Sequence, residues 1–353
     1  MKIYFTPGPS QLYHTYEYHL KEALKRQLGS ISHRGPEFQK IYSQTEETLK
    51  ELLDVPGDFR VLFLSSATDI WERILQNLVK KTSHHFVNGA FSERFFDFSK
   101  KLEKSSTQTL GDGISEFGSF DVPEEAELIA ITKNETSKGF NFDDSHLAHL
   151  RDAHPGKHLT LDTVSVIPAV PIDFNLLDST YFSVQKSFGM PAGLGVWILN
   201  QNAIENSLSQ EIGKGTYRSL SSLIKYADKN QTPETPNVLA IYVLGKIAQD
   251  MIARGIKIIR NETTYKSTLL YQCLESHPML SPAVSSKPNR SKTVVVANCG
   301  NHQQKILDHL SRKGMILGKG YGKAKDTQLR IANFPAHSKE QIELLCDLLM
   351  KLT

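Results

Sequence analysis

Cysteine is scarce in this chain of 353 residues: there are three, Cys273, Cys299 and Cys346. Their odd number, wide spacing and lack of any Cys-x-x-Cys exclude a disulfide framework and a structural zinc site. A dominant charge sign is missing too. Lysine plus arginine number 41 against 38 acids, a net +3, which excludes the basic surface of a nucleic-acid binder or of a polybasic membrane protein. No apolar run approaches the roughly 18–20 residues of a membrane span. The opening Met1-Lys2-Ile3-Tyr4-Phe5-Thr6-Pro7-Gly8-Pro9 has no secretory apolar region, so the expected location is cytoplasmic.

What remains is an ordinary globular mixture, 39% hydrophobic and 22% charged. At this length it can bury a large core, and about two domains are expected at roughly 150 residues each. Short β-like runs alternate with longer helical ones. Strands are predicted at Val61–Leu64, Leu128–Thr132, Leu159–Asp162, Tyr181–Val184, Val196–Leu199 and Thr293–Asn298. Several are nearly continuous apolar runs, as expected of strands covered on both faces. Helical spacing marks Phe38–Leu53, Asp69–Val79, Val238–Arg254 and a last helix opened by Ser338 with Gln341 three residues on. A similar cap, Asn301 with Gln304, is expected to open the helix before Gly314. The alternation predicts an α/β protein with a mainly parallel sheet. A polar loop near 227–240 is the expected domain break, and 281–292 reads as a surface loop. Cys299 and Cys346 fall on apolar runs and read as core residues.

One segment carries chemistry, Tyr181-Phe182-Ser183-Val184-Gln185-Lys186-Ser187-Phe188-Gly189-Met190-Pro191-Ala192-Gly193-Leu194-Gly195. A buried strand runs into a Gln-Lys pair and then a Gly/Pro-rich turn. Lys186 would stand at a strand end, where open α/β sheets bind ligands. A lysine desolvated there has a lowered pKa and becomes an imine-forming nucleophile; the alternative is a solvated lysine. Upstream, the apolar strand Leu159-Thr160-Leu161 ends in Asp162, 24 residues before Lys186, room for one strand–connection–strand unit. An aspartate beside a pyridinium nitrogen keeps the ring an electron sink; the alternative is a turn cap.

With these segments on the page, the chain resembles the class V, fold-type I aminotransferases that use pyridoxal phosphate (PLP), and within them it is most similar to the phosphoserine aminotransferases. The similarity spans nearly the whole chain and rests on several motifs in order. It implies a large α/β domain with a seven-stranded-type sheet over residues 16–236, and a small α+β domain made of 1–15 and 237–353. Gln185-Lys186 followed by Pro191-Ala192-Gly193-Leu194 implies that Lys186 bonds the cofactor aldehyde and Gln185 its phosphate. Asp162 is the implied partner of the pyridine nitrogen. Asn134-Glu135-Thr136 implies Thr136 beside the ring 3-oxygen, and Phe91 of Asn88-Gly89-Ala90-Phe91-Ser92-Glu93-Arg94 is implied to stack on the ring. The turn Ser65-Ser66-Ala67-Thr68 stands where the family cradles phosphate on a helix N-terminus, with Ala67 and Thr68 the expected donors. Asp69 follows at once, a charge that would repel phosphate. Thr232-Pro233-Glu234-Thr235-Pro236 resembles a loop that reaches the cofactor phosphate of a neighbouring subunit, with Thr235 the implied donor and a homodimer the implied state.

Two further segments bear on substrate. Ser32-His33-Arg34-Gly35-Pro36-Glu37-Phe38 resembles the family segment whose His and Arg bind a substrate phosphate, so His33 and Arg34 are implied. Leu329-Arg330-Ile331 resembles the strand whose arginine grips the α-carboxylate. A second histidine often present before that arginine is missing here, where Gly318-Lys319-Gly320-Tyr321-Gly322-Lys323 stands instead. The expectation is therefore a transaminase moving nitrogen between glutamate and 3-phosphohydroxypyruvate in serine biosynthesis, with small-molecule substrates, no metal, no nucleic acid and no membrane. A serine– or alanine–glyoxylate-type transaminase, or a non-catalytic descendant of the fold, are the alternatives.

Overall fold

The computed structural model describes residues 2–115, 117–213 and 217–352. Its larger sheet has seven strands: β2 (Phe59–Leu64), β3 (Thr82–Val87), β4 (Ser105–Leu110), β5 (Leu128–Thr132), β8 (His158–Asp162), β9 (Ser179–Ser183) and β10 (Gly195–Asn200). The spatial order is β2-β10-β9-β8-β5-β3-β4. From β9 to β4 every pairing is parallel, whereas β10 runs against both β9 and β2. Strands β5, β8 and β9 are buried at every residue, which is why their sequences read as unbroken runs rather than alternating ones. The mainly parallel seven-stranded sheet expected of the family is present.

Two of its strands escape the hydrophobic pattern. β4 is a polar edge strand, Ser105-Ser106-Thr107-Gln108-Thr109-Leu110. β3 carries His84 and His85, yet both are buried. His84 reaches the Thr107 and Thr109 hydroxyls at 2.8 and 3.1 Å, and His85 reaches Ser83 at 2.9 Å. Burial pushes the two imidazoles down to about 4 and about 3, so both are neutral side chains of the interior.

Helices α1 (Tyr16–Lys25), α2 (Pro36–Leu53), α3 (Ala67–Leu78), α4 (Ala90–Lys101), α5 (Asp144–Ala153), α6 (Gln201–Ser209), α7 (Leu220–Ala227) and α8 (Val238–Arg254) accompany this sheet. The second sheet is small: β1 (Ile3–Phe5), β11 (Ser281–Pro282), β12 (Val294–Asn298), β13 (Met315–Lys319) and β14 (Gln328–Ala332), in the order β1-β13-β14-β12-β11. Helices α9 (Ile256–Ser276), α10 (Gln303–Arg312) and α11 (Lys339–Met350) supply Leu270, Ile306 and Leu345 to its core. The pair β6 (Asn134–Glu135) and β7 (Phe140–Asn141) forms a separate hairpin.

The cores do not change at the polar loop 227–240. Helix α8 buries Ile241, Leu244, Ile247 and Met251 in the same core as the large sheet. The change falls inside α9, where Ile259 belongs to the first core and Leu270 and Leu274 to the second. An apolar stripe on α8 outweighs the polar loop before it. At α11 the Ser338–Gln341 capping box is present as expected. At α10 it is not: a 3₁₀ turn occupies Gly300–His302, and the helix starts at Gln303 without a side-chain cap. The segment 281–292 is no simple surface loop either, because Asn289 and Ser291 are buried and Ser291 N–H donates to Gly139 O at 2.9 Å. All three cysteines are buried and free.

Candidate active site

The C-terminal ends of β2, β5, β8 and β9 open on one cavity of about 240 Å³, the position where open α/β sheets hold ligands. Asp162 ends β8, Thr132 and Asn134 follow β5, Ser66 to Thr68 follow β2, and Gln185 and Lys186 follow β9; all line it. The strand ends that the sequence set 24 residues apart are neighbours in space, since β8 and β9 pair directly.

Among the described residues three lysines are buried, and comparing them shows which amine is available. Lys133, 1% exposed, donates to Phe142 O at 2.5 Å and to Asp144 at 2.7 Å. Lys266, also 1% exposed, donates to the Phe334 and His337 carbonyls at 3.2 and 2.7 Å. Lys186, 9% exposed, is the one that lines the cavity, and its amine meets a single backbone oxygen, that of Pro7. Burial pushes the Lys186 amine down to about 8, helped by the nearby Arg330 cation. The chain passes over it at Gly8, whose φ is +140°; a Cβ there would lie 2.5 Å from both Cε and Nζ of Lys186. Only glycine allows this approach.

In the same cavity, burial raises the Asp162 carboxyl to about 6. Val164 N–H donates to its Oδ1 at 3.0 Å and the Tyr181 hydroxyl to its Oδ2 at 3.1 Å. These two bonds fix the carboxylate plane. Phe91 also lines the cavity, its ring centroid 5.8 Å from Lys186 Nζ. Phe91 is placed by a residue that sequence reasoning passed over. Glu135, fully buried, accepts from Ser92 N–H at 3.0 Å, from the Ser92 hydroxyl at 2.9 Å and from Phe91 N–H at 3.4 Å. It thereby satisfies free donors at the N-terminus of α4, where a negative charge is favoured. Glu135 was in view within Asn134-Glu135-Thr136, but nothing local ties it to a helix more than forty residues upstream.

The turn before α3 departs from expectation at one atom. Ala67 N–H donates to the Ser183 hydroxyl at 2.8 Å, so it is not a free donor. Thr68 N–H has no partner among the described residues, and Thr68 lines the cavity. Close approach of β10 helps hold the turn: a Cβ on Gly195 would fall 2.5 Å from the Ser66 carbonyl carbon. Asp69 points back rather than into the cavity, accepting from the Ser65 hydroxyl at 3.0 Å and from Arg73 Nε at 3.0 Å. Thr136 and Asn134 both donate to Ser165 Oγ, at 3.0 and 2.7 Å. Arg94, absent from the sequence expectations, also lines the cavity.

The segments expected to act on a neighbouring subunit stay away from this cavity; His33, Arg34 and Thr235 do not line it. They cluster instead. Arg34 donates from Nη1 to Gln231 Oε1 at 3.1 Å and to Thr232 O at 2.6 Å, and from Nη2 to Pro233 O at 2.9 Å. Its guanidinium lies over the Tyr226 ring at 4.4 Å. Of its five N–H donors, Nε–H and one Nη2–H remain. Thr235 and Glu234 are exposed on the same loop. Arg330 donates from Nε to Lys319 O at 2.8 Å and lies over the Tyr321 ring at 5.3 Å. No carboxylate partners it among the described residues.

Residues 112–342 match the family described as aminotransferase class-V. The chain belongs to that family. It is 28% identical over 330 residues to a phosphoserine aminotransferase of Corynebacterium glutamicum, covering 89% of this chain and 85% of the relative. A solved phosphoserine aminotransferase from Cytophaga hutchinsonii superposes with a TM-score of 0.96 at 43% identity, covering 99% of both chains. The PLP-bound enzyme of that name from Trichomonas vaginalis shares the fold, with a TM-score of 0.85 at 18% identity and 99% coverage of both chains. The protein is thus a PLP-dependent aminotransferase of fold-type I.

The cavity suits that cofactor on its own terms. A ring that carries an aldehyde, a basic nitrogen and an anionic tail needs a free amine, a carboxylate and unpaired donors. Lys186, Asp162 and Thr68 N–H meet those needs. Among the described residues the buried acceptors Gln185 Oε1 and Asn134 Oδ1 have no partner, so the site also has room for a donor, since buried polar groups ordinarily have a partner.

Proposed function

We propose that the protein is a phosphoserine aminotransferase, moving an amino group from L-glutamate to 3-phosphohydroxypyruvate. The single observation that carries the chemistry is the desolvated Lys186 amine, held only by Pro7 O among the described residues, sharing a cavity with the Asp162 carboxylate. Bound pyridoxal phosphate would supply an aldehyde carbon and an electron-withdrawing ring.

This chain's residues would do the rest. The Lys186 amine would hold the cofactor through its aldehyde, and as a free amine it would carry a proton from the substrate Cα to the cofactor carbon on the far side of the nitrogen, a transfer helped by a pKa of about 8. Pro7 O orients the free amine during that transfer. Asp162, oriented by Tyr181 and Val164 N–H, keeps a proton on the ring nitrogen. Phe91 would fix the ring plane, Thr136 would lie beside the 3-oxygen, and Thr68 N–H and the Gln185 amide N–H would hold the phosphate. Arg330 takes the substrate α-carboxylate through a bidentate fork, consistent with its lack of any internal carboxylate.

The phosphorylated substrate is the finer part of the proposal. It is supported by the relatives' names and by the two donors left on Arg34. Because His33, Arg34 and Thr235 gather on one surface away from the cavity, we read them as serving the cavity of a second copy in a homodimer. We further read the chain as two domains, the small one carrying β1, Gly8 and Arg330; the change of core inside α9 favours a boundary there rather than at residue 237. A coupled assay of glutamate against 3-phosphohydroxypyruvate, glyoxylate and pyruvate tests the substrate. Selective loss of the phosphorylated acceptor in Arg34→Ala supports the reading, and equal use of all three acceptors contradicts it.

A further inference from the structure

An acidic residue two positions into the helix that receives a phosphate is a liability, and this chain carries one in Asp69. The structure contains its answer one turn later. Arg73, its side chain 4% exposed, meets Asp69, 18% exposed, through Nε to Oδ1 at 3.0 Å and Nη2 to Oδ2 at 3.5 Å. The Ser65 hydroxyl donates to Asp69 Oδ2 at 3.0 Å, and Asp69 N–H donates to Ser66 Oγ at 3.1 Å, so the pair is tied to both residues that shape the turn. The Tyr217 ring covers the Arg73 guanidinium at 5.5 Å. Arg73 Nη1 is buried with no partner among the described residues. The other charges at this end are Glu72, 3.9 Å from Arg218, and Arg94 at the cavity wall. With Arg94 these charges sum to +1, and removing either partner of the buried pair changes the charge next to Thr68 by one.

We infer that Arg73 is a positioning residue for cofactor retention: by neutralising Asp69 and turning it toward Ser65, it leaves the Ser66–Thr68 turn able to accept a doubly charged phosphate. The inference rests on the reading of this cavity as the PLP site. Arg73 does not touch the ligand; it acts through Asp69. This gives the pair a sign that plain packing lacks. Loss of Arg73 leaves an uncompensated carboxylate beside the Ser66–Thr68 turn, and loss of the Asp69 charge leaves an uncompensated guanidinium there.

The test is the affinity of the full-length apoprotein for pyridoxal 5′-phosphate, and for pyridoxal, which lacks the phosphate, read by quenching of tryptophan fluorescence. Arg73→Met should weaken PLP binding about tenfold, Asp69→Asn should tighten it about threefold, and the double variant should return to within about threefold of the parent. Pyridoxal binding should change less than twofold throughout. If both single variants weaken PLP and pyridoxal alike, or if neither changes PLP binding, the inference is wrong. Should Arg73→Met fail to fold, Asp69→Asn and Arg73→Lys decide: the first must tighten PLP selectively and the second must leave it near the parent value. A parent protein that binds no PLP at all would instead defeat the reading of the cavity.

Discussion

Gly8 lies so close to Lys186 that a side chain there would overlap the reactive amine, with a Cβ 2.5 Å from Nζ. The N-terminal strand β1 belongs to the small sheet, yet its continuation lies over the nucleophile of the large one. Gly8→Ala should therefore cut kcat at least tenfold, the scale expected when a catalytic group is displaced by about an ångström. Thermal stability of the variant should change far less than that of a core deletion. Steady-state kinetics beside a melting curve checks this.

Asp162 is a carboxylate that burial makes costly. Its folded pKa of about 6 exceeds an unfolded value near 3.9. Between those values the folded apoprotein binds more protons than the unfolded chain, so stability falls as pH rises from about 4 to about 6 and stays lowered above. Asp162→Asn removes that penalty. The apo variant should be more stable than the parent at pH 8, by on the order of 2–3 kcal/mol, and no more stable at pH 4. Urea unfolding at the two pH values measures it; transaminase activity should be lost.

Uptake of PLP by the apoprotein should accelerate with pH through about 8, as the Lys186 amine loses its proton, and level off above. Arg330 is a neighbouring cation that lowers this pKa. Arg330→Leu should shift the midpoint upward, since loss of a like charge favours the protonated amine. Stopped-flow absorbance across pH reports both midpoints.

Glu135 should count in stability and cofactor binding together. Glu135→Gln keeps the shape but loses the charge that receives the α4 donors, at a cost of about 2 kcal/mol. Because α4 carries Phe91, PLP affinity should also fall. Denaturant titration and fluorescence binding read the two effects separately.

Much of this was legible in the chain. Strands buried on both faces announce themselves as apolar runs, so β5, β8 and β9 and the residues at their ends, Asp162 and Lys186, could be placed. What stayed hidden depends on partners distant in sequence. β3 was masked by two histidines, of which His84 pairs with hydroxyls of β4 and His85 with Ser83 of its own strand. The N–H of Ala67 is consumed by Ser183, 116 residues away. Asp69 is the exception, since its partner Arg73 stands one helical turn on, an i,i+4 spacing the chain itself displays. Helix α8 joined the first core despite the loop before it, since the partner for its apolar face is α2.

The central claim is that Lys186, alone among the three buried lysines, bonds the cofactor. Borohydride reduction of the PLP-loaded protein, followed by digestion and peptide mass mapping, tests it directly. The pyridoxyl label should appear on the peptide containing Lys186. A label on Lys133 or Lys266, or none in a fully loaded sample, would contradict the account.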